Sequence, residues 1–155
     1  MKQLTEKRLK EIGVILPEPP NPQGSYVPWV ISGNLVYLAG QIPLVNGKLM
    51  YKGKVPTEVS FPNAVEAAKI CAINLVSQLR VACNGELDRV KQIVKIGGFI
   101  ACDSTFHKHP EVINGASDFF QKVFQANSKH SRFAVGAPSL PLNAPVEIDG
   151  IFELI

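Results

Sequence analysis

Residues 128–155, SKHSRFAVGAPSLPLNAPVEIDGIFELI, decide how the rest of the chain has to be arranged. Two apolar runs, 133–137 and 146–155, flank a proline-rich connection, 138–145. That pattern predicts two β-strands joined by a stiff loop. Arg132 stands where the first strand begins and Glu147 near the start of the second. A fixed cation and a carboxylate at the ends of adjacent strands can hold an anion and activate a water molecule. The same two residues also fit a plainer reading, as solvated strand-end charges, because arginine and glutamate are common on surfaces.

Two strands cannot stand alone, so their neighbours have to come from upstream. Residues 26–31 and 35–39 are apolar runs separated by Ser32-Gly33-Asn34, a hairpin signal. Pro43 and Asn46-Gly47 extend the hairpin into a small meander with a bend or an edge. Residues 61–84 carry Val65, Ala68, Ala72, Leu75, Leu79 and Ala82 at helical spacing, with Glu66, Lys69, Ser77 and Arg80 on the other side. Pro62 suits that helix's first turn and Asn84-Gly85 its end. Residues 87–102 read as a strand whose Gly97-Gly98 marks a bulge or a close backbone contact. A second main helix spans 110–126, with Val112, Ala116, Phe119, Phe120 and Val123 buried. At the front, 2–13 predicts a short helix that Thr5 caps. Pro17 to Pro22 follow as a tether laying that helix against the body.

The sum is an α+β domain, a mixed β-sheet with two main helices on one face. The chain, 1–155, forms one domain, with 1–25 as a helix plus tether. The other sheet face carries much of the apolar surface of the 27–39 and 133–154 strands, and closed oligomerisation would cover it. At 155 residues the chain can bury a core without staples. A net charge of +3, with no cluster of lysine and arginine, gives no phosphate-binding face. The charged N-terminus is not a signal peptide, and no apolar run is long enough to span a bilayer. Cys71, Cys83 and Cys102, odd in number and without a CxxC, read as reduced thiols of a cytoplasmic protein.

Motifs for other chemistries are absent. There is no glycine-rich phosphate loop, and Ser131 and Ser139 lack the context of a nucleophilic serine. His107 and His109 near Asp103 can be read as a metal pair or as a solvated loop, and no third ligand stands out. Cys102 can be a nucleophile or a buried inert thiol, and no cationic neighbour is evident to activate it. His130 can line the Arg132 pocket or sit in a surface loop.

Four segments then carry a resemblance: Tyr37-Leu38-Ala39-Gly40-Gln41-Ile42-Pro43, Ser131-Arg132-Phe133-Ala134-Val135-Gly136, Leu140-Pro141, and Val146-Glu147-Ile148-Asp149-Gly150-Ile151. Together they resemble the Rid family, the reactive-intermediate (imine) deaminases also called YjgF-like or L-PSP endoribonuclease-like proteins. Residues 1–25 look like the extension of a longer branch of that family. The resemblance implies a chorismate-mutase-like fold and a homotrimer with sites between subunits. It also implies hydrolysis of small 2-imino or 2-enamino acids, of the 2-iminobutanoate/2-iminopropanoate type, to 2-oxo acids and ammonia. The reaction needs no cofactor or metal, and the ligand is a small anionic imino acid or carboxylate.

Arg132 matches the arginine that binds the substrate carboxylate, and Glu147 the carboxylate that positions or activates water. Tyr26, Gly40 and Gln41 match pocket-lining positions. Asn114, beside Ile113, stands near the family's pocket asparagine. Ala134 occupies a pocket position where the archetypal deaminases carry cysteine, and Ala39 one where they tend to carry serine. Those two departures leave a second class open: a catalytically weak carboxylate-binding or regulatory trimer. RNA binding or cleavage ranks behind both, because a basic, aromatic-rich face is lacking.

Overall fold

The computed structural model describes residues 3–155. The elements are α1 (Leu4–Glu11), β1 (Trp29–Ser32), β2 (Leu35–Gln41), β3 (Leu44–Val45), β4 (Lys48–Leu49), α2 (Phe61–Ala82), β5 (Val90–Ala101), α3 (His109–Phe124), β6 (Ser131–Ala137) and β7 (Val146–Leu154). Five strands form one mixed sheet in the order β1-β2-β7-β5-β6, while β3 and β4 pair separately. All neighbours are antiparallel except β5 and β6, the parallel pair that α3 connects. A parallel pair needs such a crossover.

The α+β reading stands: α2 and α3 pack on the same face of the sheet. β7 shows why. Val146, Ile148, Gly150, Phe152 and Leu154 are buried on the helix side, and Glu147, Asp149, Ile151 and Glu153 alternate with them on the open side. The core between the layers includes Leu75, Leu79, Ile96, Ile100, Ile113, Phe120 and Phe152. Each such side chain contributes roughly 1.5–3 kcal/mol by leaving water. The open face keeps Val30, Tyr37, Phe99 and Val135 exposed. Among the described residues no helix is long and apolar enough to cross a membrane.

Gly97-Gly98 lies where both layers press on β5. A Cβ at Gly98 would strike Ile113 of α3, and one at Gly97 would strike Asp149 and Phe133 on the open face. The pair therefore marks close approach on both sides of one strand. The bulge expected there falls nearby, as register shifts against β7 between Val90 and Lys95.

Four expectations change in detail. The tail strands are not adjacent, because β5 lies between β6 and β7. Their proline-rich connection therefore has to pass over the end of β5. Helix α1 begins at Leu4, and Thr5 does not cap it; Lys2, the first residue of the predicted helix, lies outside the described residues. Asp88 instead accepts from the backbone N–H groups of Leu4 and Thr5 and from the Thr5 hydroxyl, at 2.7–2.9 Å. Ser77 is buried rather than solvated, because the tether runs across α2. Its hydroxyl donates to the carbonyl of Pro17, and the Gln78 amide donates to that of Pro20. Finally, the first strand starts at Trp29, which leaves Tyr26 in the segment before it.

Candidate functional site

The sheet's period of two separates the two charges of the tail. Arg132 pairs with Ile96 and Ala134 with Gly98, so both point to the helix side at the β6 edge. Glu147 pairs with Phe99 on the open side of β7. Two inter-strand steps place β6 and β7 about 10 Å apart across β5. Within one chain, then, Arg132 and Glu147 lie on opposite faces of the sheet.

The first cluster forms around Arg132. Its Nη1–H donates to Ser117 Oγ at 2.9 Å and its Nη2–H to the Pro110 carbonyl at 3.2 Å. Both acceptors belong to α3. Asn114 falls between them at the i, i+4, i+7 spacing that aligns side chains along one helical stripe, and it is exposed. Ile113, its neighbour, is buried against Gly98. The two bonds occupy two of the five guanidinium donors. Among the described residues no further hydrogen bond of Arg132 is present, so a planar fork remains at the sheet edge. Charge-assisted bonds from such a fork contribute about 1.5–3 kcal/mol each.

The second cluster forms around Glu147. Gly40, Phe99, Ala137, Leu140, Glu147 and Asp149 line a shallow cleft of about 360 Å³ on the open face. Gly40 sits in the register shift of β2 against β7, and a Cβ there would strike the Glu147 carboxylate. Burial, first, pushes Glu147 above the ordinary carboxylate range, and the like charge of Asp149 adds to it. Desolvation also raises Asp149, though its side chain keeps one side in solvent; the Gly97 backbone N–H and Lys95 pull the other way. A carboxylate raised in a cleft is the kind of group that can take and return a proton.

Tyr26 and Gln41 meet in a narrow crevice behind Gly40, closed by Pro20 to Gln23, Ile42 and Gln78. The Tyr26 hydroxyl accepts from the Gln23 N–H at 3.1 Å. Gln41 is buried, and its amide donates to the Ala39 carbonyl at 3.3 Å. Gly40 lines both this crevice and the Glu147 cleft. The structure thus groups Tyr26, Gly40, Gln41 and Glu147 at one place, and Arg132, Ala134 and Asn114 at another.

Asp149 and Ser117 join the two clusters without a motif of their own in the sequence. Asp149 was accessible from the strand alternation, two places after Glu147 on the same face. Ser117 is visible only once α3 is laid beside β6. His109 Nε2 lies 3.4 Å from Cys102 Sγ, and burial, ahead of the charge of Asp103, raises that thiol's pKa. The burial of Cys102 favours the inert thiol of the two readings.

Comparison with known proteins follows the same lines. The model of the family described as "YjgF/chorismate mutase-like, putative endoribonuclease" matches residues 6–153. A solved structure from Agrobacterium tumefaciens, the protein Atu1372 of unknown function, superposes with a TM-score of 0.92 at 42% identity, covering 98% of this chain and 93% of that one. "Protein TCP17" of Trypanosoma cruzi is 36% identical over 94% of this chain and 91% of its own length. A "2-iminobutanoate/2-iminopropanoate deaminase" of Dermatophagoides farinae is 30% identical over 87% and 90%.

Proposed function

The chain belongs to the YjgF/chorismate mutase-like (Rid) family, and from that premise we propose that it hydrolyses small 2-imino acids to 2-oxo acids and ammonia in pockets shared between subunits. The observation that carries this reading is Arg132, braced by two bonds to α3 with its remaining donors at an exposed sheet edge. A substrate of this class has one strong handle, its carboxylate, and a planar guanidinium fits it with two parallel bonds. Asn114, on the same stripe of α3, can hold a second polar atom of the ligand. Ala134, on the same sheet face as Arg132, leaves room for a small side chain.

The chemistry belongs to the other cluster. Glu147 takes a proton from water as its oxygen attacks the imine carbon, and the C=N bond becomes a C–N single bond. Glu147 hands that proton to the nitrogen, which completes the neutral carbinolamine. It then takes the hydroxyl proton as the C=O bond forms and passes it to the nitrogen as the C–N bond breaks, so ammonia leaves and no net proton is consumed by the protein. Because a single chain holds Arg132 and Glu147 apart, the reading requires the edge of β6 in one subunit to meet the Gly40–Glu147 cleft of the next. A homotrimer closed through the exposed apolar face supplies that contact. A second reading, a carboxylate-binding trimer with weak catalysis, is favoured by one observation: Ala134 brings no thiol or polar group to the pocket.

The test generates 2-iminobutanoate in situ with an amino acid oxidase and follows its disappearance. Wild type should speed release of the oxo acid. Arg132→Ala should lower kcat/KM by about 100-fold or more, as for two lost charge-assisted bonds. Equal rates in the two proteins would remove the deaminase reading. Binding of 2-oxobutanoate without turnover would select the second one.

A further inference from the structure

Arg132 donates to a hydroxyl that is itself engaged. Ser117 Oγ lies 3.0 Å from His130 Nε2, and His130 Nδ1 lies in hydrogen-bond contact with the Ser128 carbonyl. A carbonyl only accepts, so Nδ1 must carry a proton. In the neutral ring Nε2 is then an acceptor, and the Ser117 hydroxyl must donate to it. That direction turns the Ser117 lone pairs toward Arg132 Nη1, which donates at 2.9 Å. The chain of donors therefore runs from Arg132 to Ser117 to His130 to the backbone of residue 128. The imidazole is also fixed as a ring, standing edge-on to the buried Phe120 at 6.2 Å between centroids.

We infer that Ser117 and His130 are positioning residues: they orient the Arg132 guanidinium for the carboxylate of its ligand. The inference rests on the proposed role of Arg132. A hydroxyl alone can rotate its proton toward or away from an arginine. His130 removes that freedom by accepting the proton, so Ser117 presents only acceptor character to the guanidinium. The second bond, to Pro110, fixes the other end nitrogen. With both end nitrogens anchored on one helix, the fork is held before the ligand arrives, and less rotamer entropy is lost on binding.

The test has one readout that needs no substrate. Side-chain ¹⁵N relaxation of Arg132 Nε in the free protein should report a rigid N–H in wild type and a mobile one in Ser117→Ala and His130→Phe. Ser117→Thr and His130→Gln each retain the needed acceptor or donor and should restore rigidity. In the imino acid assay, Ser117→Ala should raise KM roughly tenfold while kcat changes less than about twofold, since the lost order concerns ground-state and transition-state carboxylate alike. Equal Arg132 order in wild type and Ser117→Ala overturns the inference, whatever the assay gives. A rigid Arg132 that loosens in Ser117→Ala, in a protein without turnover, supports the inference and counts against the deaminase reading alone.

Discussion

Glu147 and Asp149 sit two residues apart on one strand, and that spacing alone puts their side chains on the same sheet face. Burial raises Glu147, and the Asp149 charge raises it further. A general base works only when deprotonated. The acid limb of kcat/KM should therefore lie above the range of an ordinary glutamate, with activity growing as pH rises through the pKa of Glu147 in the folded protein. Asp149→Asn removes the like charge, so the limb should move to lower pH; a limb that stays in place or moves up would show that Glu147 is not the titrating base. Glu147→Gln should lower kcat by about 10²–10⁴-fold, the usual contribution of a positioned acid or base. At this scale the sequence was half legible. Glu147 and Arg132 stood out as charges in apolar strands. What holds Arg132 did not, because Pro110 and Ser117 lie 22 and 15 residues away and meet it only through the crossover of α3.

Periodicity placed the longer elements well, since each is amphipathic enough for its own face to report its position. Helix α2 runs Phe61–Ala82 against a predicted 61–84, and α3 runs His109–Phe124 against 110–126. The order of strands was less legible: nothing local says that β5 inserts between β6 and β7, because pairing is a contact between distant segments. The tether was legible as proline-rich, but its path over α2 became visible only through Ser77 and Gln78, whose side chains replace water at the carbonyls of Pro17 and Pro20. Helix α1 teaches the same lesson. Its cap is Asp88, more than eighty residues away in sequence. Desolvation opposes the charge there, yet the Thr5 hydroxyl and two backbone N–H groups outweigh it and hold the Asp88 carboxyl below its usual range. The sign follows: a depressed carboxylate contributes stability that is present above its unfolded-state pKa and is lost as pH falls through its folded-state pKa. Asp88→Ala should cost about 1 kcal/mol at neutral pH, as for a lost N-cap. Urea titrations of the two proteins should converge in acid. A difference that stays constant with pH would show that the carboxylate charge is not what docks α1.

At the scale of the molecule, the decisive fact is that one chain carries Arg132 and Glu147 on opposite sides of its sheet. If the pocket forms between subunits, each site takes Arg132 from one chain and Glu147 from its neighbour. Arg132→Ala and Glu147→Gln proteins should then each be nearly inactive alone yet complement each other. In trimers reassembled at random from equal amounts, a site is intact when the arginine side comes from a Glu147→Gln subunit and the glutamate side from an Arg132→Ala subunit. That combination occurs in about one site in four for a cyclic arrangement with one site at each interface. The mixture, denatured together and refolded, should recover about a quarter of wild-type activity, whereas the two proteins refolded separately and then combined should not. If both residues served a site within one chain, every subunit would lack one of them and no mixture would regain activity. A charge on the open face, Val135→Glu, provides the control. It should shift the mass seen by sedimentation from a trimer toward the 16.9 kDa chain and abolish complementation with it. Recovery by mixed subunits that sediment as monomers would contradict the shared pocket, because a lone chain cannot bring the β6 edge to the Gly40–Glu147 cleft.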